Sequence, residues 1–545
     1  MTTGPADSPR PPESPIETAR AWWEAEPDDD IRAELDGLLG AAEAGDESAL
    51  VERFTGRLTF GTAGLRAAVG AGPTRMNRLV VRQAAAGLAD HLLATDPTTA
   101  TRGVLIGFDA RRKSDTFAAD TARVMAARGV PARLFDQVVP TPVLAWSITD
   151  VDAAAGVMVT ASHNPPADNG YKVYLGSGAQ IVSPVDAEIA AAIAAVDPLD
   201  VALADPDDPL ISRLGDTQVE AYLAEVPAVR LCPDVPPVTV ASTALHGVGG
   251  AVLVAAFERS GLGRPLVVAA QQEPDGTFPT VAFPNPEEPG AMDLVIAEAQ
   301  RSGAVLALAN DPDADRLGAA VPTPEGTWRR LSGDEIGWLL ADHILSHTEG
   351  ADRLVVTTLV SSSLLTRMAE HHGVHAIETF TGFKWIAKEV LEHPGLRFVF
   401  GYEQALGFLV AGRPLDKDGI TAAVLLAEVA ALACADGTDL LGRLAAIEAR
   451  FGRFIVTERS VAMSPEAGAA AVARLVSAPP TVVAARDVVS VREYPEAGLL
   501  RLVLDGGVRV QVRPSGTEPK VKIYGEGVGI DPGMAVDAVA AFLSE

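Results

Sequence analysis

The sequence predicts a multidomain α/β protein: three related α/β domains followed by a smaller α+β domain. Three observations carry that expectation. The chain has 545 residues, 48% of them hydrophobic, which is too much for one core and enough for several. A plan of apolar strand, polar loop, helix and closing glycine recurs three times at intervals of roughly a hundred residues. The C-terminal stretch instead reads as a hairpin, a third strand and a last helix.

Residues 1–16 are rich in Pro, Ser and Thr, with no apolar segment of signal-peptide type, and read as a disordered tail. From Ile16 to Leu39 the apolar positions Trp22, Trp23, Ile31, Leu35 and Leu38 predict a packed helix. The first repeat has a strand at 103–108, the polar loop Asp109–Ser114 and an alanine-rich helix closing near Gly129. In the second, a strand follows Pro236-Pro237 at 238–241, then the loop Ser242–Gly247 and a helix to about Gly261. The third has a strand at 353–359, Ser361-Ser362-Ser363 and a helix to Gly373. Long apolar strands alternating with helices imply mainly parallel sheets, whose ligand loops leave the carboxyl ends of the strands. Strands at 499–504 and 508–512 flank Asp505-Gly506-Gly507, with a further strand at 521–524 and a helix at 534–543. After the tail the expected domains are 17–208, 209–326, 327–445 and 446–545.

The net charge of -28 argues against nucleic acid and against an anionic membrane surface. An anionic ligand therefore requires basic groups gathered locally. Two cysteines, Cys232 and Cys434, give no disulfide framework and point to a reducing cytoplasm. The most apolar run, Ile420–Ala433, is too short to span a bilayer and carries Glu428.

Five stretches carry candidate chemistry. Phe60-Gly61-Thr62-Ala63-Gly64-Leu65-Arg66 is a loop whose glycines permit close backbone approach. An apolar run ends at Val157-Met158-Val159 and delivers Thr160-Ala161-Ser162-His163-Asn164-Pro165, a serine held on a rigid strand end. Asp311-Pro312-Asp313-Ala314-Asp315-Arg316 places carboxylates at i, i+2 and i+4, where they repel unless a cation sits among them; oxygen-only donors suit Mg²⁺. A calcium-binding EF-hand is excluded, because Arg316 stands where that loop needs Gly and Pro322 where it needs Glu. In Gly401-Tyr402-Glu403-Gln404-Ala405-Leu406-Gly407, expected after a strand at 396–400, Glu403 can accept from two hydroxyls of a sugar. Arg513-Pro514-Ser515-Gly516-Thr517-Glu518-Pro519-Lys520, with Lys522 beyond, has the makings of a phosphate cradle. The basic residues Arg66, Lys172, Arg316, Lys384, Lys417, Arg513 and Lys520 do gather in these loops or beside them.

Together the loops resemble those of the α-D-phosphohexomutase superfamily, in the branch that holds phosphoglucomutases and phosphopentomutases. The resemblance spans residue 55 or so to the C-terminus. It implies four domains round a central cleft, each giving one loop. It also implies a mutase that interconverts a hexose 1-phosphate and 6-phosphate, with glucose preferred and mannose or pentose as alternatives. Ser162 would carry the phosphoryl group, and one Mg²⁺ would sit on Ser162, Asp311, Asp313 and Asp315. Lys172 and Arg66 would move protons, with His163 as a helper. Arg316, Thr381, Gly382, Lys384, Glu403, Gln404, Ala405 and Lys417 would contact the sugar. Arg513, Ser515, Gly516, Thr517 and Lys522 would hold its phosphate. A sugar 1,6-bisphosphate is the implied intermediate and activator, in a monomer or dimer. Gln404 departs from the second Glu of many relatives. A Mg-dependent phosphatase with an Asp nucleophile is the remote rival, since it too places aspartates after a strand.

Overall fold

A computed structural model describes residues 14–515 and 520–544. The expected tail falls outside the described residues up to residue 13. Residues 14–16 already belong to ordered structure: Ser14 caps the helix Pro15–Ala25, accepting from the Glu17 amide while the Glu17 carboxylate accepts from the Ser14 amide. The single helix expected over 16–39 is two, Pro15–Ala25 and Asp29–Glu43. Pro27, with no amide hydrogen and a fixed φ, lies in the break. Trp22, Ile31 and Leu35 are buried as expected, but Trp23 is 37% exposed and lies under the Arg32 guanidinium.

The chain divides into two compact units. The first comprises the residues up to Val229, Thr239–Leu317 and Arg413–Thr421. Its larger sheet runs in the order Leu65–Ala68, Asp168–Leu175, Ala155–Val159, Val104–Phe108, Ala132–Phe135, Ile211–Leu214. The last four strands are mutually parallel, and the first two are antiparallel additions. Val104–Phe108 and Ala155–Val159 are buried along their whole length, as strands covered by helices on both faces must be. A second parallel set pairs Val240–Thr243 with both Leu266–Val267 and Leu306–Asn310.

The second unit comprises Arg230–Val238, Gly318–Gly412 and Ala422–Glu545. Here Arg353–Thr358 pairs in parallel with His375–Thr379 and Arg397–Glu403, and Gly407–Leu409 adds an antiparallel edge. The strand expected to stop at residue 400 continues to Glu403, so Gly401 and Tyr402 are sheet residues and not loop. The C-terminal sheet has six strands, all antiparallel, in the order Phe454–Ala462, Lys520–Val528, Arg509–Pro514, Leu499–Leu504, Arg486–Tyr494, Val482–Val483. Three parallel-rich α/β sheets and an antiparallel C-terminal one are therefore present, as the sequence predicts. The run Ile420–Ala433 lies within the helix Gly419–Ala435, whose Glu428 is fully buried. Among the described residues no single helix is long and apolar enough to cross a membrane. Cys232 and Cys434 are both free thiols.

Candidate active site

The serine loop is built from the strand Ala155–Val159 outward. Ser162 is a non-glycine residue with φ of 51°, in the left-handed region. That conformation costs on the order of 1–2 kcal/mol and persists only where neighbours fix it. Here they do. The Ser162 amide donates to Thr160 Oγ1 at 2.9 Å, and Thr160 Oγ1 donates to Asp109 Oδ2 at 2.6 Å. Arg111, itself buried, donates to the carbonyls of Asn164 at 2.6 Å, Pro165 at 2.8 Å and Asp168 at 3.1 Å, and to that of Ser162. The loop is thus clamped from below by a guanidinium whose two terminal nitrogens donate to backbone oxygens, while its Nε faces Asp109 Oδ2 at 3.4 Å.

The acidic loop leaves the carboxyl end of Leu306–Asn310 and brings three carboxylates to the serine. Asp311, Asp313 and Asp315 are at most 1% exposed, and one oxygen of each lies within 4.8 Å of the others. Ser162 Oγ donates to Asp311 Oδ2 at 2.7 Å. Lys172 Nζ, on the strand Asp168–Leu175, donates to Asp313 Oδ2 at 2.6 Å and Asp315 Oδ2 at 3.0 Å. Lys417 Nζ lies 3.2 Å from Asp315 Oδ2, and Thr141 Oγ1 donates to Asp313 Oδ2 at 2.6 Å. Burial, then the neighbouring Asp315 and Asp313 charges, push the Asp311 carboxyl well above the usual range. Burial acts the same way on Asp313 and Asp315, but Lys172 with the Thr141 hydroxyl at Asp313, and Lys172 with Lys417 and Arg316 at Asp315, together outweigh it and hold both low. Burial opposes the charge on Lys172 as well; its two aspartates win and keep it an ammonium ion. Asp313 Oδ1 and Asp315 Oδ1 are buried oxygens without a hydrogen-bond donor. Three hard oxygen ligands, two of them with unanswered lone pairs, fit a small divalent cation.

Arg66 donates to Asn164 Oδ1 at 2.9 Å, anchoring the far side of the serine loop. Gly64 beside it is obligatory: a Cβ there would lie 1.8 Å from the Tyr171 carbonyl oxygen. Burial lowers the Arg66 pKa from its ordinary value, with Asp313 opposing, and a guanidinium ordinarily keeps its proton in proteins. His163 Nδ1 is 3.2 Å from Ser162 Oγ. Burial, with the Arg316 and Arg66 charges, holds the imidazole well below its ordinary pKa, hence neutral at pH 7. The Arg316 amide donates to Asp311 Oδ1 at 3.0 Å, and its guanidinium pairs with Glu287 at 3.3 Å. The first unit therefore gathers Ser162, His163, Arg66, Lys172, Asp311, Asp313, Asp315, Arg316 and Lys417.

The other expected residues belong to the second unit. Glu403 ends its strand and accepts from the Gly382 amide at 2.7 Å, so Thr381 and Gly382, which lead into the helix Phe383–Glu392 carrying Lys384, meet the strand end at Glu403. Gln404 accepts from Ser361 Oγ through Oε1 and donates its amide to the same oxygen, both at 3.1 Å. Ala405 is half-buried beside it. Arg513 and Lys522 are direct cross-strand partners, and Lys522 Nζ is paired with Glu458 at 2.7 Å. Ser515 donates its amide to the Lys520 carbonyl at 2.8 Å. Gly516 and Thr517 lie outside the described residues.

Sequence reasoning gave no role to Asp109, Arg111 and Thr141, which hold the serine and acidic loops in place. Asp109 and Arg111 stand in a polar loop at the carboxyl end of a parallel strand, a position that could have flagged them. Thr141 opens the helix Thr141–Asp150 and carried no signal.

A clamped serine with three buried carboxylates and an ammonium ion defines a phosphotransfer class of enzyme. Four family models match in succession: phosphoglucomutase/phosphomannomutase alpha/beta/alpha domains I, II and III at residues 57–200, 220–326 and 332–447, and the C-terminal domain at 454–536. The "Probable phosphomannomutase" of Haemophilus influenzae is 41% identical over 86% of this chain and 96% of its own length. Human phosphopentomutase is 36% identical over 77% of this chain and 73% of its own. A phosphoglucomutase/phosphomannomutase family protein from Burkholderia thailandensis has the same fold, with TM-score 0.69 and 20% identity over 88% of this chain and 95% of that one. The chain belongs to the phosphoglucomutase/phosphomannomutase family of the α-D-phosphohexomutase superfamily and is a phosphomutase, an enzyme of the isomerase class.

Proposed function

We propose that this phosphomutase interconverts glucose 1-phosphate and glucose 6-phosphate through a phosphoryl group carried on Ser162. A sugar hydroxyl attacks the phosphoserine phosphorus. The P–Oγ bond breaks as the new P–O bond forms, giving a sugar 1,6-bisphosphate. The sugar then turns, and Ser162 Oγ takes back the other phosphoryl group. The observation that carries this reading is the clamped Ser162 with Oγ 2.7 Å from Asp311. Lys172, kept protonated by its aspartates, gives a proton to Ser162 Oγ as it leaves and regains one from the attacking hydroxyl, and neutral His163 orients Oγ. Arg66 and Arg316 offset charge on the transferring group.

Asp311, Asp313, Asp315 and the serine phosphate would hold Mg²⁺, which when bound supplies Lewis-acid charge to the phosphoryl oxygens. Glu403, Gln404, Ala405, Thr381, Gly382 and Lys384 read the sugar, joined by Lys417. Arg513, Ser515, Gly516, Thr517 and Lys522 clamp the phosphate that is not being transferred.

The deciding experiment compares kcat/KM for the 1-phosphates of glucose, mannose, ribose and deoxyribose, each primed with its bisphosphate. We expect glucose to lead by about tenfold or more. The similarity to human phosphopentomutase favours pentose as the second reading, and a ribose or deoxyribose lead would establish it in place of glucose. Turnover that survives Ser162→Ala undiminished would instead restore the phosphatase reading.

A further inference from the structure

Among the described residues, one cluster outside the acidic loop presents metal-ligating atoms. Cys232, His343 and His347 each offer a donor atom within 4.8 Å of the other two. All three belong to the second unit. The histidines are four residues apart on the helix Gly333–His347, so they share one of its faces. Cys232 lies on the segment Arg230–Val238.

Hydrogen bonding fixes both rings. His343 Nε2 lies 2.9 Å from Glu428 Oε1. Glu428 also receives Arg230 Nε at 2.8 Å, so it is a carboxylate and only accepts. His343 Nε2 therefore carries a proton, and Nδ1 is the ring nitrogen that Glu428 does not occupy. His347 Nδ1 lies 2.8 Å from the His343 carbonyl, which also only accepts. Its proton sits on Nδ1, and Nε2 keeps its lone pair. An N–H anchored to a carboxylate or carbonyl, with the opposite nitrogen open, is the usual preparation of a metal-binding histidine. The same Glu428 holds Cys232 by its backbone amide at 3.0 Å. One buried carboxylate thus orients two of the three donor residues. A His343–Glu428 hydrogen bond needs neither a thiol nor a second imidazole, yet both are there.

Charges of both signs surround the cluster: the Glu428 carboxylate, and the Arg230 guanidinium that pairs with it and donates to the Cys232 carbonyl at 3.2 Å. His347 is the last residue of its helix, where the outermost carbonyls carry partial negative charge. His347 is exposed and Cys232 half-buried, so an ion reaches the cluster from solvent. One sulfur and two imidazole nitrogens are too soft a set for Mg²⁺ and match Zn²⁺. We infer that Cys232, His343 and His347 form a Zn²⁺ site, with water in the fourth position, that pins the segment Arg230–Val238 to the helix Gly333–His347.

Co²⁺ is the spectroscopic probe. Full-length protein is stripped with chelator and titrated with Co²⁺ in excess Mg²⁺, which occupies the acidic loop. One equivalent should develop a thiolate-to-cobalt charge-transfer band that Zn²⁺ bleaches. Cys434→Ser should keep the band, and Cys232→Ser should lose it. His347→Gln alters an exposed ring and leaves the fold intact; it should weaken Zn²⁺ in a chelator competition by at least about tenfold. Absence of the band in unaltered protein, or equal Zn²⁺ affinity in all four proteins, would overturn the assignment. Neither readout depends on mutase activity, so the site and the phosphoserine stand or fall separately.

Discussion

The acidic-loop region and the sugar-loop region handle buried carboxyl groups in opposite ways. In the first, Asp311, Asp313 and Asp315 are packed together and answered by Lys172 and Lys417, with oxygens still lacking a partner. In the second, the buried carboxyl of Asp334 lies beneath Tyr402. Its Oδ1 accepts from the Tyr402 hydroxyl at 2.7 Å and the Ser362 amide at 2.8 Å. Burial pushes its pKa up to about 7. The contrast separates two tasks. Phosphoryl transfer needs concentrated charge held ready, and a network of buried hydrogen bonds and ion pairs keeps it in place. Sugar recognition, the task proposed for the second region, needs shaped hydrogen bonds, and Asp334 supports the strand end at Tyr402 as a neutral acceptor.

Substitutions in the two regions should therefore differ in kind. The largest effect expected is from Ser162→Ala, which removes the proposed nucleophile: kcat should fall by ~10⁴-fold or more, with circular dichroism unchanged. Next comes Asp334→Asn, which acts on stability. The folded protein holds Asp334 neutral up to about pH 7, whereas the unfolded chain ionises near the ordinary 3.8. Stability is thus lost as pH rises between those values and stays low above them. The amide keeps Oδ1 as acceptor and cannot ionise. Denaturant titrations should show the variant gaining up to ~4 kcal/mol at pH 8 and almost nothing at pH 3.5. Equal gains at both pH values would remove the titration argument. Lys172→Met should cost ~10²-fold in kcat and leave Asp313 without its ammonium and Asp315 with Lys417 alone, so tighter binding of added divalent ion should accompany the slower turnover. The smallest effect is expected from Gln404→Glu, which should shift the ratio of kcat/KM between glucose and mannose 1-phosphates by no more than about tenfold.

The sequence revealed most where burial imposed a pattern. Val104–Phe108 and Ala155–Val159 stand out because both faces are covered and every position is apolar. Phe454–Ala462 and Arg486–Tyr494 escaped notice because most of their side chains are half-buried or exposed, leaving no contrast to read. The resemblance carried by the motif loops implies one site for Ser162 and the three aspartates, and Ser162 Oγ does donate to Asp311. Arg111 was not legible as their clamp, since it binds backbone carbonyls that any residue can offer. The Lys417–Asp315 pair joins positions a hundred residues apart, and no local spacing announces it.

The most direct test of the account is intact-mass analysis of the enzyme during turnover, followed by peptide mapping. The account predicts a single phosphoryl group on Ser162 that disappears on adding sugar monophosphate and returns with the bisphosphate. Full turnover with the serine unmodified throughout, or with the phosphoryl group mapped to another residue, would contradict it.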